Sequence, residues 1–360
     1  MDKIKIVGAG LAGLSAASIL TRSGVNVDVF EKRKNIFNDG LNDFQVIRNY
    51  GGDKGFFDSL KKYGFVLPKR NLIYKIIKHP PKGKPMEIFG KDPLFYVVER
   101  GGTKNSLDSI IYESIDKNLV DFKMGQGVET SFGDIIAVGP FMKNVQVFGC
   151  SLRGVDVDKS TIHFFSDAKY FPKGYFYSSP FDKDLISVAA VSFDMDLNLS
   201  SAFKKFISEN KIVKELVKGH TEIKYFSGGG LCNFPNTARV NNKLFVGAAA
   251  GFVEASRGFG IKYSILSGIA AANSIIKSEN YDYIWKNFFG EELRSSLKRN
   301  LFLTSLTDEE YSNLFIGRSV PVENYSKPLS DLSKGKSKQD FSEDLKNWRE
   351  KYNIEKYFIG

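Results

Sequence analysis

The sequence of 360 residues predicts an α/β protein with a Rossmann-like nucleotide-binding domain, an inserted antiparallel-sheet domain and a helical C-terminal part. Three observations support this fold class. A strand, a glycine-rich turn, a helix and a second strand follow one another at the start of the chain. The middle of the chain alternates apolar and polar residues between turns, and the chain after Ile276 is mostly helical in pattern.

The first elements form a strand–helix–strand unit. Residues 3–7 predict a buried strand, residues 11–23 are rich in alanine and leucine and predict a helix, and residues 25–30 predict the second strand. A polar loop that contains several glycines is expected over residues 35–55, followed by a short helix over residues 56–63.

The turn between the first strand and the first helix fits G-x-G-x-x-G, and its context is the one that a nucleotide-binding turn requires. Its glycines permit a tight turn, a close approach of the backbone to a pyrophosphate, and close packing of the helix on the strand. Glu31 ends the second strand, where a carboxylate can bind the ribose hydroxyls of an adenosine and disfavours the extra phosphate of NADP. The residues predicted to contact the nucleotide here are Gly8, Gly10, Leu11, Ala12, Gly13, Glu31 and Lys32.

The middle of the chain predicts strands inserted into the first domain. Residues 66–98 place prolines between short apolar runs, and residues 161–194 alternate between apolar and polar side chains. The other predicted elements are helices over 104–118 and 200–218, strands near 222–226 and 243–247, an amphipathic stretch over 285–302, a Lys/Ser-rich linker over 332–339 and a final helix.

The first glycine turn does not distinguish NAD from FAD, but the segment from Lys243 to Ile261 does. It predicts a strand, a glycine turn, a loop and the start of a helix. This segment resembles the second FAD motif of the para-hydroxybenzoate hydroxylase superfamily, in which the strand end holds the ribityl and diphosphate part and the helix N-terminus faces the flavin ring. The resemblance implies FAD contacts from Gly247, Ala248, Gly251, Gly258, Phe259, Gly260 and Ile261.

Ala248 departs from the superfamily pattern. An aspartate that binds the ribityl chain is usual at this position. One lost hydrogen bond costs about 0.5 to 3 kcal/mol, so we expect FAD binding to persist on the remaining contacts.

Three further segments resemble the geranylgeranyl reductase branch, whose members saturate isoprenoid chains of archaeal lipids and of chlorophyll and quinone precursors. The segment from Tyr96 to Arg100 is similar to the family segment whose arginine reaches the flavin side of the cofactor. The segment from Phe171 to Pro180 is similar to the substrate-domain signature, with Tyr177 in place of a tryptophan, and residues 306–311 are similar to the family's helical tail.

The candidate catalytic residues are Tyr175, Tyr177 and Asp39. The two tyrosines belong to an aromatic-rich stretch that suits a tunnel for an apolar chain, although plain packing of a sheet explains the same pattern. Many family members carry a cysteine in the loop after the second strand, and here Asp39 can supply the polar group instead. A solvated turn is the alternative interpretation of this loop.

The charge balance of 51 basic against 41 acidic residues gives a formal net charge of +10, which favours anionic partners. The basic residues are scattered and no nucleic-acid-binding motif surrounds them, so nucleic acid is not expected as a partner. An anionic membrane surface remains a candidate partner. No apolar run is long enough for a spanning helix and no signal peptide is visible, so we expect a cytoplasmic protein that can lie peripherally at a membrane.

These features predict an FAD-dependent oxidoreductase that binds FAD noncovalently and reduces C=C bonds of a prenyl lipid chain. The alternatives are a flavin-dependent monooxygenase acting on a hydrophobic small molecule and a degenerate FAD-binding protein without activity. The electron donor stays open among NADPH, NADH and ferredoxin, so an electron-donor protein is a candidate partner. We expect a discontinuous FAD-binding domain over residues 1–55, 94–155 and 240–280, a substrate domain over 56–93 and 156–239, and a helical C-terminal region over 281–360.

Overall fold

The computed structural model describes residues 3–35, 43–101, 103–315, 317–325 and 341–357. Its strands are β1 (Ile4–Val7), β2 (Val27–Glu31), β3 (Phe44–Arg48), β4 (Arg70–Ile73), β5 (Lys75–His79), β6 (Met86–Phe89), β7 (Phe95–Glu99), β8 (Val120–Met124), β9 (Ile135–Ile136), β10 (Val145–Arg153), β11 (Thr161–Phe165), β12 (Gly174–Asp182), β13 (Leu185–Ser192), β14 (Glu222–Gly230), β15 (Arg239–Val240), β16 (Lys243–Phe245) and β17 (Ser319–Pro321). Its α-helices are α1 (Leu11–Arg22), α2 (Phe56–Ser59), α3 (Leu107–Glu113), α4 (Leu199–Glu209), α5 (Lys211–Leu216), α6 (Ile261–Lys277), α7 (Tyr281–Trp285), α8 (Glu291–Thr304), α9 (Asp308–Phe315) and α10 (Ser342–Lys351).

Within these ranges the strands form three sheets. A six-stranded sheet has the order β15-β16-β9-β1-β2-β8 and is parallel except for the β15–β16 pair. An eight-stranded, mostly antiparallel sheet has the order β14-β10-β13-β12-β11-β5-β6-β17, and β3, β7 and β4 form a small third sheet. The predicted α/β fold, with a Rossmann-like domain and an antiparallel sheet, is therefore confirmed.

The parallel sheet buries the first strand–helix–strand unit. Strand β1 lies between β2 and β9, so it is covered on both edges, and its apolar side chains Ile6 and Val7 are buried. Helices α1 and α6 pack so closely that a Cβ added to Gly268 would lie 2.2 Å from the carbonyl oxygen of Ala12. The alanines on both helices make this short interhelical distance possible.

The eight-stranded sheet separates two apolar layers. On one face, Phe203 and Phe206 of α4 pack on side chains that include Phe176. On the other face, Tyr175 and Val191 pack against Val253, which belongs to the segment between β16 and α6. This second face therefore looks toward the second glycine turn.

Two predicted helices differ in the structure for local reasons. The helix predicted over 200–218 splits at Asn210, whose backbone is extended and whose side chain accepts hydrogen bonds from the amides of Ile212 and Val213. Asparagine in this position starts a new helix, α5. The helix predicted over 104–118 begins later, at Leu107, because the hydroxyl of Ser106 caps it by accepting from the amide of Ser109.

Two strands of the eight-stranded sheet, β10 and β17, lie in segments that the sequence assigns to other domains. The domain boundaries stay a prediction. Strand β10 lies inside the segment predicted for FAD binding but pairs with β13 and β14 in the eight-stranded sheet. Strand β17 lies inside the region predicted as helical and extends the same sheet by pairing with β6. Among the described residues, no helix combines the length and the apolar character that crossing a bilayer requires.

Candidate active site

The first glycine turn has the backbone geometry that its sequence predicts. Gly8 has φ of 108°, and a Cβ at this position would lie 2.4 Å from the carbonyl oxygen of Ala137. A Cβ on Gly13 would lie 2.0 Å from the carbonyl oxygen of Gly8. A Cβ on Gly10 would meet no described atom within 4 Å, so the space beside this residue is open. The turn is thus tight on its inner side and open where a pyrophosphate would bind.

Glu31 is held beside this turn. It is 6% exposed, its Oε2 accepts the amide of Ala9 at 2.8 Å, and its Oε1 accepts the backbone amide of Arg33 at 2.9 Å and Nε of Arg33 at 3.0 Å. Burial raises the pKa of Glu31, but the bonds from Arg33 and Ala9 outweigh burial and keep the pKa below its ordinary value. Glu31 is therefore ionised next to the first turn of α1.

The second glycine turn brings the N-termini of α1 and α6 together. Gly247 begins a 3₁₀ turn, Gly247–Ala250, with φ of 56°. A Cβ on Gly247 would lie 3.0 Å from the Cβ of Ala12 and 3.2 Å from the hydroxyl of Ser264. A larger residue at Gly247 would therefore push the two helices apart. Ala248 follows in the same turn and is half-buried.

Helix α6 begins with an open N-terminus. Its N-cap is Gly260, which supplies no side-chain cap, so the first-turn amides of this 17-residue helix are available to a ligand. Gly258 precedes it with φ of 73°, in a loop that closes on itself through the hydrogen bond from the amide of Glu254 to the carbonyl oxygen of Phe259. Such an N-terminus stabilises negative charge on a bound group.

Charged side chains gather at the same end of α6. Asp53 is paired with Arg48, and Lys262 Nζ lies 2.5 Å from Asp53 Oδ1 and 2.6 Å from Glu292 Oε2. Burial raises the pKa of Asp53, but Arg48 and Lys262 outweigh burial and lower it. Two cations and two carboxylates therefore balance one another in this cluster. The cluster borders a narrow cleft that is also lined by Val46, Ile47, Phe56, Glu254, Phe259, Ile261 and Tyr263.

The candidate tyrosines lie on the face of the eight-stranded sheet that looks toward this loop. Tyr175 donates a hydrogen bond to the carbonyl oxygen of Arg257, inside the segment that leads to α6. Its ring stacks on that of Phe164 with centroids 4.6 Å apart, and the centroid of the Tyr177 ring lies 5.9 Å from that of Tyr175. Burial raises the pKa of both tyrosines, so both phenols are neutral at physiological pH. The structure therefore brings Tyr175 and Tyr177 together beside the predicted flavin loop.

Arg100 belongs to a different ion cluster. Its Nε lies 2.7 Å from Asp108 Oδ2, its Nη2 lies 3.0 Å from Asp108 Oδ1, and its Nη1 lies 3.2 Å from Gln45 Oε1. Burial lowers the pKa of Arg100, but Asp108 outweighs burial and raises it. The guanidinium is thus bound bidentately within the protein, and its predicted contact with the cofactor stays a prediction.

The remaining predicted residues have different environments. Leu11 and Ile261 are buried in the apolar core around α1 and α6, Phe259 packs edge-on against Phe95, and Lys32 is exposed. Asp39 lies outside the described residues. The sequence did not single out Asp53, Lys262 or Arg257, because Lys262 meets Asp53 and Arg257 meets Tyr325 across long separations in the chain.

The residues present fit FAD. Gly10 leaves open space for a pyrophosphate, Glu31 presents an ionised carboxylate beside it, and Gly260 leaves the amides of α6 uncapped. The shared junction at Gly247 places these groups at one end of two adjacent helices. The ADP half would lie at α1 and the flavin half at α6.

Several known proteins are similar to this chain in sequence. A family model described as an NAD(P)-binding Rossmann-like domain matches residues 6–40. An uncharacterized protein of Methanocaldococcus jannaschii is 31% identical over 157 residues, and this alignment spans 41% of the chain and only 40% of that protein. A digeranylgeranylglycerophospholipid reductase 2 of Methanopyrus kandleri is 23% identical over 354 residues, which cover 86% of the chain and 89% of the relative.

Solved structures extend the likeness to nearly the whole fold. A geranylgeranyl bacteriochlorophyll reductase-like protein from Thermoplasma acidophilum superposes with a TM-score of 0.73 at 17% identity, covering 96% of this chain and 98% of that protein. The predicted resemblance to the geranylgeranyl reductases is thus confirmed, and the chain shares its fold with a geranylgeranyl reductase-like protein.

Proposed function

We propose that the chain is an FAD-dependent reductase that saturates C=C bonds of a prenyl lipid chain of the geranylgeranyl type. The observation that carries this proposal is the hydrogen bond from Tyr175 to the carbonyl oxygen of Arg257. It joins the aromatic face of the sheet directly to the loop that precedes α6. An apolar chain lying along that face would therefore have carbon atoms next to the flavin side of the cofactor site.

The chain's own residues would bind and orient both reactants. Gly10 and Glu31 would hold the ADP half of FAD, and the uncapped amides of α6 would hold the flavin half. Bound and reduced FAD would supply the electrons for saturating the double bond. Tyr175, Phe164 and Tyr177 would align the chain and keep water away from the reacting carbons.

The names of the relatives support a reductase of prenyl lipids. The Methanopyrus relative is a digeranylgeranylglycerophospholipid reductase, and its alignment includes most of both chains. We propose that the electron donor is NADPH, NADH or ferredoxin. We also propose that the protein collects its substrate at an anionic membrane surface, which its net charge of +10 favours.

The experiment starts from purified protein, which should be yellow and should release FAD on denaturation. The flavin is reduced with dithionite under anaerobic conditions, and a geranylgeranyl glycerophospholipid in detergent micelles is added. We expect the absorbance of oxidised flavin to return and mass spectrometry to find two added hydrogens for each reduced bond. The fully saturated lipid is the matched control and should leave the flavin reduced.

Two other outcomes would contradict the proposal. Consumption of NADPH with release of hydrogen peroxide and no saturated lipid would favour the monooxygenase alternative. A flavin that neither lipid nor oxygen reoxidises would favour a binding protein without activity, an alternative motivated by Ala248. A Tyr177→Ala variant tests the aromatic face, because it should lower the rate with lipid while leaving the reduction by dithionite unchanged.

A further inference from the structure

On the face of the eight-stranded sheet that looks toward α6, a row of aromatic side chains on neighbouring strands ends at a lysine. Tyr177 of β12 pairs with Phe164 of β11, and Phe164 pairs in turn with Lys78 of β5. Directly paired residues on neighbouring strands point to the same face of a sheet. This aromatic row therefore has the cation Lys78 at one end, followed by the rings of Phe164 and Tyr177. At its other end, Tyr177 pairs with Ala189 of β13, which has a small side chain.

The ammonium group of Lys78 is enclosed by aromatic groups. Its Nζ lies 2.7 Å from Oη of Tyr325, 5.1 Å from the ring centroid of Tyr325 and 5.1 Å from that of Phe164. Tyr325 is 4% exposed and lies in the helical turn that follows β17. Lys78 thus presents its charge inside the protein, at the boundary between the sheet and the C-terminal region.

Arg257 brings a second cation to the same phenol. Its side chain is 15% exposed and is hydrogen-bonded to Tyr325, while Glu254 accepts its backbone amide at 2.8 Å and lies 4.0 Å from its Nη1. Burial raises the pKa of Tyr325, but Lys78 and Arg257 outweigh burial and lower it to about 8. Two buried cations that draw a phenol toward its anionic form make an environment that favours a negative charge.

Arg299 adds positive charge to this region. Burial lowers its pKa, and Arg257 and Arg48 lower it further. Glu254 offsets one of these cations, and the Arg48–Asp53–Lys262–Glu292 cluster is already balanced. Burying cations costs free energy unless an opposite charge compensates them. The charge around Tyr325 is therefore suited to an incoming anion.

We propose that Lys78, Arg257 and Tyr325 form the binding site for the phosphate group of an amphiphilic substrate whose apolar chain lies along Phe164 and Tyr177. The inference rests on the proposed function, because it takes the aromatic row as the track of a prenyl chain. It adds a direction to that track: the anionic end lies at β5 and the chain extends toward β13. An uncharged prenyl alcohol would occupy the same row without the ionic anchor.

The test measures equilibrium binding to the oxidised holoenzyme through the change in flavin fluorescence. The ligands are geranylgeranyl phosphate, geranylgeraniol and inorganic phosphate. We expect the phosphate ester to bind about tenfold or more tightly than the alcohol, which is the preference that a charge-assisted pair confers. In Lys78→Met the two should bind alike, and in Lys78→Arg the preference should be largely restored.

Lys75→Met is the matched control. Lys75 lies on the same strand, three positions earlier and on the opposite face, so this variant should keep the preference for the phosphate ester. Equal binding of ester and alcohol by the unaltered protein would overturn the proposal, as would a preference that survives in Lys78→Met. Inorganic phosphate that competes with the ester at similar concentrations would assign the site to free phosphate and overturn the headgroup assignment.

These outcomes are separable from failure of the proposed function. Binding needs no electron transfer, so a preference for the phosphate ester that depends on Lys78 would stand even if no double bond were reduced. Conversely, reduction of ester and alcohol with equal affinity would keep the reductase proposal and overturn the headgroup site.

Discussion

Glu31→Gln tests the link between the acidic end of β2 and nucleotide binding. Oε2 of Glu31 accepts the buried amide of Ala9, and Oε1 accepts two N–H groups of Arg33. Glutamine has one amide oxygen, and its NH₂ group accepts none of these bonds, so at least one donor loses its partner. The loss of a charge-assisted bond to a ribose hydroxyl costs about 1.5 to 3 kcal/mol, which raises the dissociation constant of FAD roughly tenfold to a hundredfold.

Fluorescence titration of apoprotein with FAD measures this effect, and urea unfolding of the apoprotein separates it from a general loss of stability. Asp28→Asn is the matched control, because Asp28 lies on the same strand and pairs with Lys3 at the surface. This control should leave FAD affinity unchanged. An unchanged dissociation constant in Glu31→Gln would refute the assignment of Glu31 to the ribose.

Three further predictions concern the cofactor turn, helix packing and pH. Ala248→Asp should tighten FAD binding by roughly 1 kcal/mol in the same titration, and weaker binding would show that this turn does not contact the ribityl chain. Gly268→Ala places a Cβ 2.2 Å from the carbonyl oxygen of Ala12 and should lower the free energy of unfolding by about 1 to 3 kcal/mol, and an unchanged urea midpoint would contradict this packing. Burial and the neighbouring His163 lower the pKa of His79 from 6.5 to about 4 in the folded protein. Between pH 4 and pH 6.5 the unfolded chain therefore binds more protons at His79 than the folded protein does, so the free energy of unfolding should fall as the pH falls from 6.5 to 4. His79→Gln should show a smaller fall in urea titrations, and an identical fall would exclude His79 as its source.

The parts of the site that are local in sequence were predictable. The glycine turn from Gly8 to Gly13 and the acid Glu31 lie within one strand–helix–strand unit, so their spacing alone fixes their relative positions. The second turn was predictable for the same reason, because Gly247, Gly258 and Gly260 flank one strand and one helix start.

The charged groups around the site were not predictable, because contacts between distant segments create them. Lys262 meets Asp53 across 209 positions, and Lys78 meets Tyr325 across 247 positions. In the sequence Lys78 is one of two lysines that flank a pair of isoleucines, a pattern equally typical of an exposed strand. Only the pairing of β5 with β11 identifies which face it occupies.

The packing of α6 on α1 has a consequence for the order in which the protein assembles during synthesis. Strand β1 and helix α1 are synthesised well before strand β16 and before α6, the helix that packs on α1 and ends at Lys277. Among the intervening strands, β12 and β13 are consecutive in the chain and form an antiparallel pair that can form early. Contacts between distant segments form slowly, so the nucleotide pocket closes only after α6 has been synthesised, and flavin uptake follows translation of this region.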